Sequence, residues 1–161
     1  MRKTNVFASV GTHPQPFDRL LKEIDKFAAG AKNFSFFAQT GNSSYEPKNF
    51  RFKKFLNDEE YSRSISEADI IISHAGAGTI ISSMLQKKKL IVVPRLLRYG
   101  EHTNDHQIDL AEALAGEGKV IAVMEISGLG EAIANSAKFR PNIASNKRGL
   151  INAVSEFIDA L

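Results

Sequence analysis

Residues 70–79 read Ile-Ile-Ile-Ser-His-Ala-Gly-Ala-Gly-Thr, and the fold assignment starts here. An unbroken β-branched run suits a strand covered on both faces. Small residues follow at once, and from Thr79 to Lys88 the positions Ile80, Ile81, Met84 and Leu85 fall at helical spacing. Strand, tight turn and helix in that order open a βαβ unit. The next strand follows at Leu90-Ile91-Val92-Val93, again continuously apolar.

The same alternation extends in both directions. Asn5 to Val10 is a strand that ends at Gly11-Thr12-His13-Pro14. Phe17, Leu20, Leu21, Ile24, Phe27 and Ala28 then recur at three- and four-residue steps, which predicts a helix. Phe34 to Ala38 and Phe50 to Phe52 are further strands, separated by a Gly-, Asn-, Ser- and Pro-containing loop over residues 41–49. A helix opens near Asn57 or Asp58 with acids in its first turn. Beyond Val93 come a helix from about Asn104 to Ala115, a strand at Lys119–Val123 and two closing helices. The last helix carries Leu150, Val154, Phe157, Ile158 and Leu161 on one stripe. The expected architecture is one α/β domain over residues 1–161, a Rossmann-like doubly wound parallel sheet.

Composition narrows the function classes. The chain has 161 residues, 43% of them hydrophobic and 24% charged, an ordinary globular balance. With no cysteine there is no disulfide framework, thiolate metal site or cysteine nucleophile. The net charge of +3 suits anionic ligands without demanding them. No apolar run approaches the roughly 20 residues of a spanning helix. The stretch from Val6 to Val10 is too short for the apolar core of a secretory signal, so a cytoplasmic protein is expected.

Ligands of open α/β sheets bind beyond the carboxyl ends of the strands, and three loops there are unusual: Gly11-Thr12-His13, residues 73–79 and Arg95 through Gln107. In Ser73-His74-Ala75-Gly76-Ala77-Gly78-Thr79, small residues and a helix start suit a phosphate or diphosphate; a tight turn needing only backbone freedom is the plainer reading. A dinucleotide fingerprint fails because Ile81 stands where the third glycine belongs, and a P-loop lacks its Gly-Lys-Ser/Thr. The loop from Pro94 to Gln107 is dense in groups that hydrogen-bond sugar hydroxyls. Its His102 and His106 are four apart, but the helix begins near Asn104, so polar contacts or capping outweigh a metal pair. Phe50, Phe52 and Phe55 lie among Arg51, Lys53 and Lys54. Alternation in a half-buried strand explains them, and no nucleic-acid partner is expected. Lys87-Lys88-Lys89 fits a helix end on a solvated face. No general base stands out.

Taken together, Val10-Gly11-Thr12, residues 73–79, Pro94-Arg95…Gly100-Glu101-His102 and Asn104-Asp105-His106-Gln107 resemble a known family. They are similar to the C-terminal, donor-binding half of glycosyltransferase family 28, in particular its split members. Those are the small subunits of the dolichol-linked GlcNAc transferase and of bacterial exopolysaccharide transferases. The resemblance implies a GT-B half that binds a UDP-sugar, UDP-GlcNAc or UDP-glucose/galactose, for transfer to a lipid-diphosphate-linked acceptor. A membrane-anchored partner subunit would bind that acceptor and carry the general base, leaving this chain peripheral to the membrane. No cofactor and no metal are implied.

Carried over residue by residue, the resemblance sets Gly11 and Thr12 at the diphosphate and Phe55 with Leu56 beside the uracil. His74, Gly76, Ala77, Gly78 and Thr79 fall in the phosphate segment. Apart from that carry-over, Arg95 or Arg98 would help the helix start at Gly78-Thr79 stabilise the departing diphosphate. His102, Asn104 and Asp105 belong to the sugar-side loop, and Gln107 matches a glutamine reaching sugar hydroxyls. Ser82 stands where many members have a glutamate for the ribose hydroxyls, a departure that leans toward the exopolysaccharide type. It also keeps open a non-catalytic nucleotide-binding module of the same fold, with a sugar-nucleotide epimerase as a weaker alternative.

Overall fold

In the computed structural model, described over residues 1–143 and 147–160, six parallel strands form one sheet. The strands are β1 (Thr4–Ser9), β2 (Phe34–Gln39), β3 (Arg51–Lys53), β4 (Ile70–Ser73), β5 (Lys89–Val92) and β6 (Ile121–Ala122). Their order is β3-β2-β1-β4-β5-β6, so the winding reverses between β1 and β4. Helices α1 (Asp18–Ala28) and α5 (Leu129–Asn135) cover one face. The other face is covered by α2 (Asp58–Glu67), α3 (Ala77–Leu85), α4 (His106–Gly116) and α6 (Lys147–Ala160).

The continuous apolar runs have the expected cause. Val6, Ala8, Ile70, Ile72 and Ile91 enter the core under α1, while Phe7, Ile71, Leu90 and Val92 enter the opposite one. A strand buried on both faces has no solvent side on which to place polar residues.

Some boundaries differ from the sequence reading. α3 stops at Leu85, not Lys88, because Lys87 is left-handed (φ 54°) and its N–H and that of Lys88 turn back to Met84 and Ser83 carbonyls. Lys88 is not a solvated cation: its Nζ donates to the Ser66 and Ala68 carbonyls at 2.7 and 2.8 Å, where α2 ends. α4 begins at His106, two residues late, because the Asn104 side chain accepts from the His106 N–H at 3.0 Å. β6 keeps only two of five expected residues. α6 packs on α3 and α4 with Val154 fully buried; Leu161 and the side chains of Leu150, Phe157 and Ile158 lie outside the described residues.

The 41–49 loop is fastened by two acids of α1. Asp18 accepts from the Ser44 and Tyr45 N–H groups, and Asp25 accepts from the Tyr45 hydroxyl and the Lys48 and Asn49 N–H groups. Burial alone would raise the Asp25 pKa, but these donors outweigh it and hold the carboxyl below its ordinary value. Asp25 is 2% exposed, so Asp25→Ala strands several donors and is expected to lower unfolding free energy by about 3 kcal/mol in urea. A depressed folded-state pKa contributes stability above the ordinary carboxylate range, and that contribution fades as pH falls through the folded value. The difference between wild type and variant should therefore shrink in acid; a constant gap would mean that the carboxylate charge is not what fastens the loop.

Candidate functional site

The strand register aligns Ser9 with both Gln39 and Ser73, so the carboxyl ends of β1, β2 and β4 finish level. At this reversal point a cavity of about 590 Å³ opens, within the range of small-molecule sites. It is walled by the β1–α1 turn, the β4–α3 turn, the start of α2 and the segment before α4.

His74 organises its centre. A Cβ on Gly11 would strike the ring at Nε2, and one on Gly76 would strike it at Cε1. These two glycines therefore make room for an imidazole, where the sequence reading gave the small residues to ligand approach. Gly11 also has φ +78°, a conformation that L side chains rarely adopt. At Gly78 the space is open: apart from its chain neighbours and its own helix backbone, nothing lies within 4 Å of its Cβ position.

The α3 N-terminus is open. Gly76 makes no side-chain cap, and the first helical bond runs from the Ile80 N–H to the Gly76 carbonyl. The N–H groups of Ala77, Gly78 and Thr79 have no partner among the described residues, and all three residues line the cavity. With the helix dipole behind them, such amides have the chemistry to hold an anion.

Gln107 fixes the state of His74. Its Oε1 accepts the Arg95 N–H at 3.0 Å, which turns its amino end toward His74 Nδ1 at 3.2 Å. Nδ1 therefore accepts, and the imidazole proton sits on Nε2. Burial above all, and then the Arg95 charge, push the His74 pKa down to about 3, so the ring is neutral at physiological pH. Gln107 lines the cavity, but both ends of its amide are engaged, so it positions His74.

A second network forms the floor. The Leu56 N–H donates to Gln39 Oε1 at 2.9 Å, and Gln39 Nε2 and the Gly11 N–H both donate to Ser9 Oγ. The Tyr61 hydroxyl lies 2.5 Å from Thr79 Oγ1. Burial raises the Tyr61 pKa, so this hydroxyl stays protonated.

Gly11, Thr12, Leu56, His74, Gly76, Ala77, Gly78, Thr79, Ser82, His102 and Gln107 are thus brought to one cavity. Five expected residues are not; of these, Arg98 lies in the Leu97–Tyr99 turn with its guanidinium 4.9 Å from the Tyr99 ring centre. Arg95 is 1% exposed, and its guanidinium donates to the carbonyls of Val10 (2.5 Å), Gln15 (2.8 Å) and Glu101 (3.0 Å). Burial lowers its pKa to about 10 against the pull of the Glu101 carboxylate; it remains charged, a strut that cannot turn to a phosphate. Asn104 and Asp105 cap the His106 and Leu97 N–H groups and hold the loop's shape. Phe55 is exposed outside the cavity wall. His102 precedes α4 and stacks on His13, which removes it from any shared helical face with His106.

The sequence reading missed Ser9, Gln39, Asp58 and Tyr61, and it named His13 only as part of its loop. Ser9 and Gln39 had a signal, since they end strands beside the reversal point. Tyr61 had none, because only the packing of α2 on α3 brings it to Thr79.

Comparisons with known proteins agree on this chain. A family model described as "Glycosyltransferase family 28 C-terminal domain" matches residues 5–161. The human "UDP-N-acetylglucosamine transferase subunit ALG13" is 29% identical over 148 residues, covering 81% of this chain and 12% of that protein. The Myxococcus xanthus N-acetylglucosaminyltransferase acting on N-acetylmuramyl-(pentapeptide) pyrophosphoryl-undecaprenol is 25% identical over 127 residues, covering 74% of this chain and 32% of that protein. Among solved structures, an NMR structure of ALG13 superposes with a TM-score of 0.59 at 17% identity, covering 96% of this chain and 98% of the other; that likeness concerns the fold. The chain spans about an eighth and a third of the lengths of these two relatives.

Proposed function

The chain belongs to the glycosyltransferase family 28 C-terminal domain family, and on that premise we propose that it is the donor-binding subunit of an inverting UDP-sugar transferase. The observation that carries this reading is the row of unpartnered amides at Ala77, Gly78 and Thr79, open to the cavity at the sheet's reversal point. A diphosphate seated there meets the positive end of α3 and the neutral His74. Leu56, whose N–H is taken by Gln39, offers an apolar edge to the base. Ser82 and the carboxylate of Asp58, both lining the cavity, supply polar groups for the ribose hydroxyls in place of the missing glutamate.

The reaction is a direct displacement. The acceptor oxygen bonds to the anomeric carbon as the bond from that carbon to the diphosphate oxygen breaks. The acceptor proton passes to a base on the partner chain, and the α3 amides take up the charge on the leaving diphosphate. Amide groups can hold that charge without a divalent cation, so transfer by the assembled enzyme should survive EDTA. The acceptor is lipid-diphosphate-linked, and a membrane-anchored partner binds it and keeps this chain at the cytoplasmic membrane surface. That human ALG13 is described as a subunit, and the Myxococcus enzyme as acting on a pyrophosphoryl lipid, supports this part. Among the described residues no helix is long and apolar enough to cross a membrane.

Calorimetric titration with UDP, UDP-GlcNAc, UDP-glucose and UDP-galactose is the direct test. Binding of UDP and preference for one sugar are expected, with little transfer by the isolated chain. Silence with all four ligands would sink the reading. The Ser82 departure favours a second reading, a non-catalytic module; binding with no transfer after addition of the partner would select it.

A further inference from the structure

His13, from the β1–α1 turn, and His102, from the segment before α4, stack with ring centroids 4.6 Å apart and planes 26° from parallel. Both line the cavity that holds the α3 amides. Each Nδ1 accepts a backbone N–H two residues on: Gln15 to His13 at 3.2 Å, and Asn104 to His102 at 3.4 Å. Both rings are therefore neutral, with their protons on Nε2.

Resting on the donor-binding reading, we propose that this stacked pair is a proton-accepting counter-charge for the diphosphate: one proton enters the pair as the nucleotide sugar binds and leaves with the product. Nε2 is already protonated, so the incoming proton, drawn from solvent, adds to an Nδ1 and displaces the backbone N–H that it accepts. His102 gives up the longer and weaker bond, and the site of uptake is its Nδ1. One proton serves the pair, because two stacked cations repel.

The surroundings keep the empty pair neutral. Burial, then His102 and Arg95, lower the pKa of His13. Burial, then Arg95 and His106, lower that of His102, while Asp105 works the other way. From β4–α3 the pair faces His74, which is itself neutral. The Arg95 charge is partly met by Glu101, whose carboxylate also binds Arg19. An anion on the α3 amides reverses this balance and raises the pKa of the pair. A group whose pKa is higher in the complex makes binding tighter as pH falls through the bound value, and the gain levels off below the free value.

The test is calorimetry on the full chain with UDP-GlcNAc, or UDP-glucose or UDP-galactose if that is the sugar bound. A nucleotide sugar is required because the terminal phosphate of UDP itself titrates at about 6. Affinity should rise as pH falls from 8 to 5 and level off near about tenfold, the ratio that a rise of one pKa unit carries. The apparent enthalpy at pH 6.5 should change with the ionisation enthalpy of the buffer, reporting proton uptake. In the double variant His13→Asn, His102→Asn, asparagine keeps an acceptor for the two turns but does not titrate, and both effects should vanish. Should that variant not fold, imidazole ¹⁵N shifts of the wild-type complex, with only four histidines to assign, must show His102 protonated on both nitrogens. Binding with no pH slope, a slope that survives in the double variant, or a neutral His102 in the complex overturns the proposal and leaves donor binding intact. Failure of every nucleotide sugar to bind overturns both.

Discussion

Gly78→Asp should abolish UDP-sugar binding while leaving the protein as stable as wild type or slightly more so. Apart from its chain neighbours and its own helix backbone, no atom lies within 4 Å of the Cβ that residue 78 would carry, so the side chain fits. An acid in the first turn of α3 is favoured by the helix dipole by about 0.3–1 kcal/mol. The same carboxylate accepts from the free amides and occupies the diphosphate's place. Losing two or three charge-assisted hydrogen bonds, with repulsion added, predicts a fall in affinity of at least about 100-fold. Thermal denaturation and calorimetry on one preparation check both halves. Gly78→Ala, which adds bulk without charge, should bind within a few-fold of wild type. Retained affinity in Gly78→Asp would mean that the nucleotide sits elsewhere.

Arg95→Met should be the most destabilising change in the site region, and it should act through the fold. The guanidinium ties Val10, Gln15 and Glu101 through their carbonyls and lies 5.0 Å from the Phe17 ring centre. Methionine fills much of the volume but leaves two buried carbonyls and one partly buried carbonyl without that donor. The expected loss is about 3–5 kcal/mol, roughly 10 °C in Tm for a chain of this size. If Arg95 held the diphosphate directly, affinity would collapse with little change in Tm; that result would contradict the strut.

The sheet was readable because parallel strands covered on both faces leave a plain trace: Ile70-Ile71-Ile72 and Leu90-Ile91-Val92-Val93 have no polar alternation. Helix ends were less legible. The stop of α3 depends on Lys87 turning left-handed, and the delay of α4 on one asparagine side chain. In the site, backbone-defined positions such as Gly78 and Thr79 followed from a strand-to-helix turn. Arg95 did not: a cation in a polar loop looks the same in sequence whether it meets solvent or three carbonyls. His13 was hidden for a related reason, since its partner is 89 positions away and joins it only when two crossovers close.

The strand order has a temporal consequence. The sheet is wound outward from its middle, and the last group needed at the cavity, Gln107, emerges from the ribosome long after Ser9. At about 5–20 residues per second, the first three strands wait for seconds with the reversal edge of β1 unpaired. Until β4 arrives, that apolar edge is the segment a nascent-chain chaperone would hold.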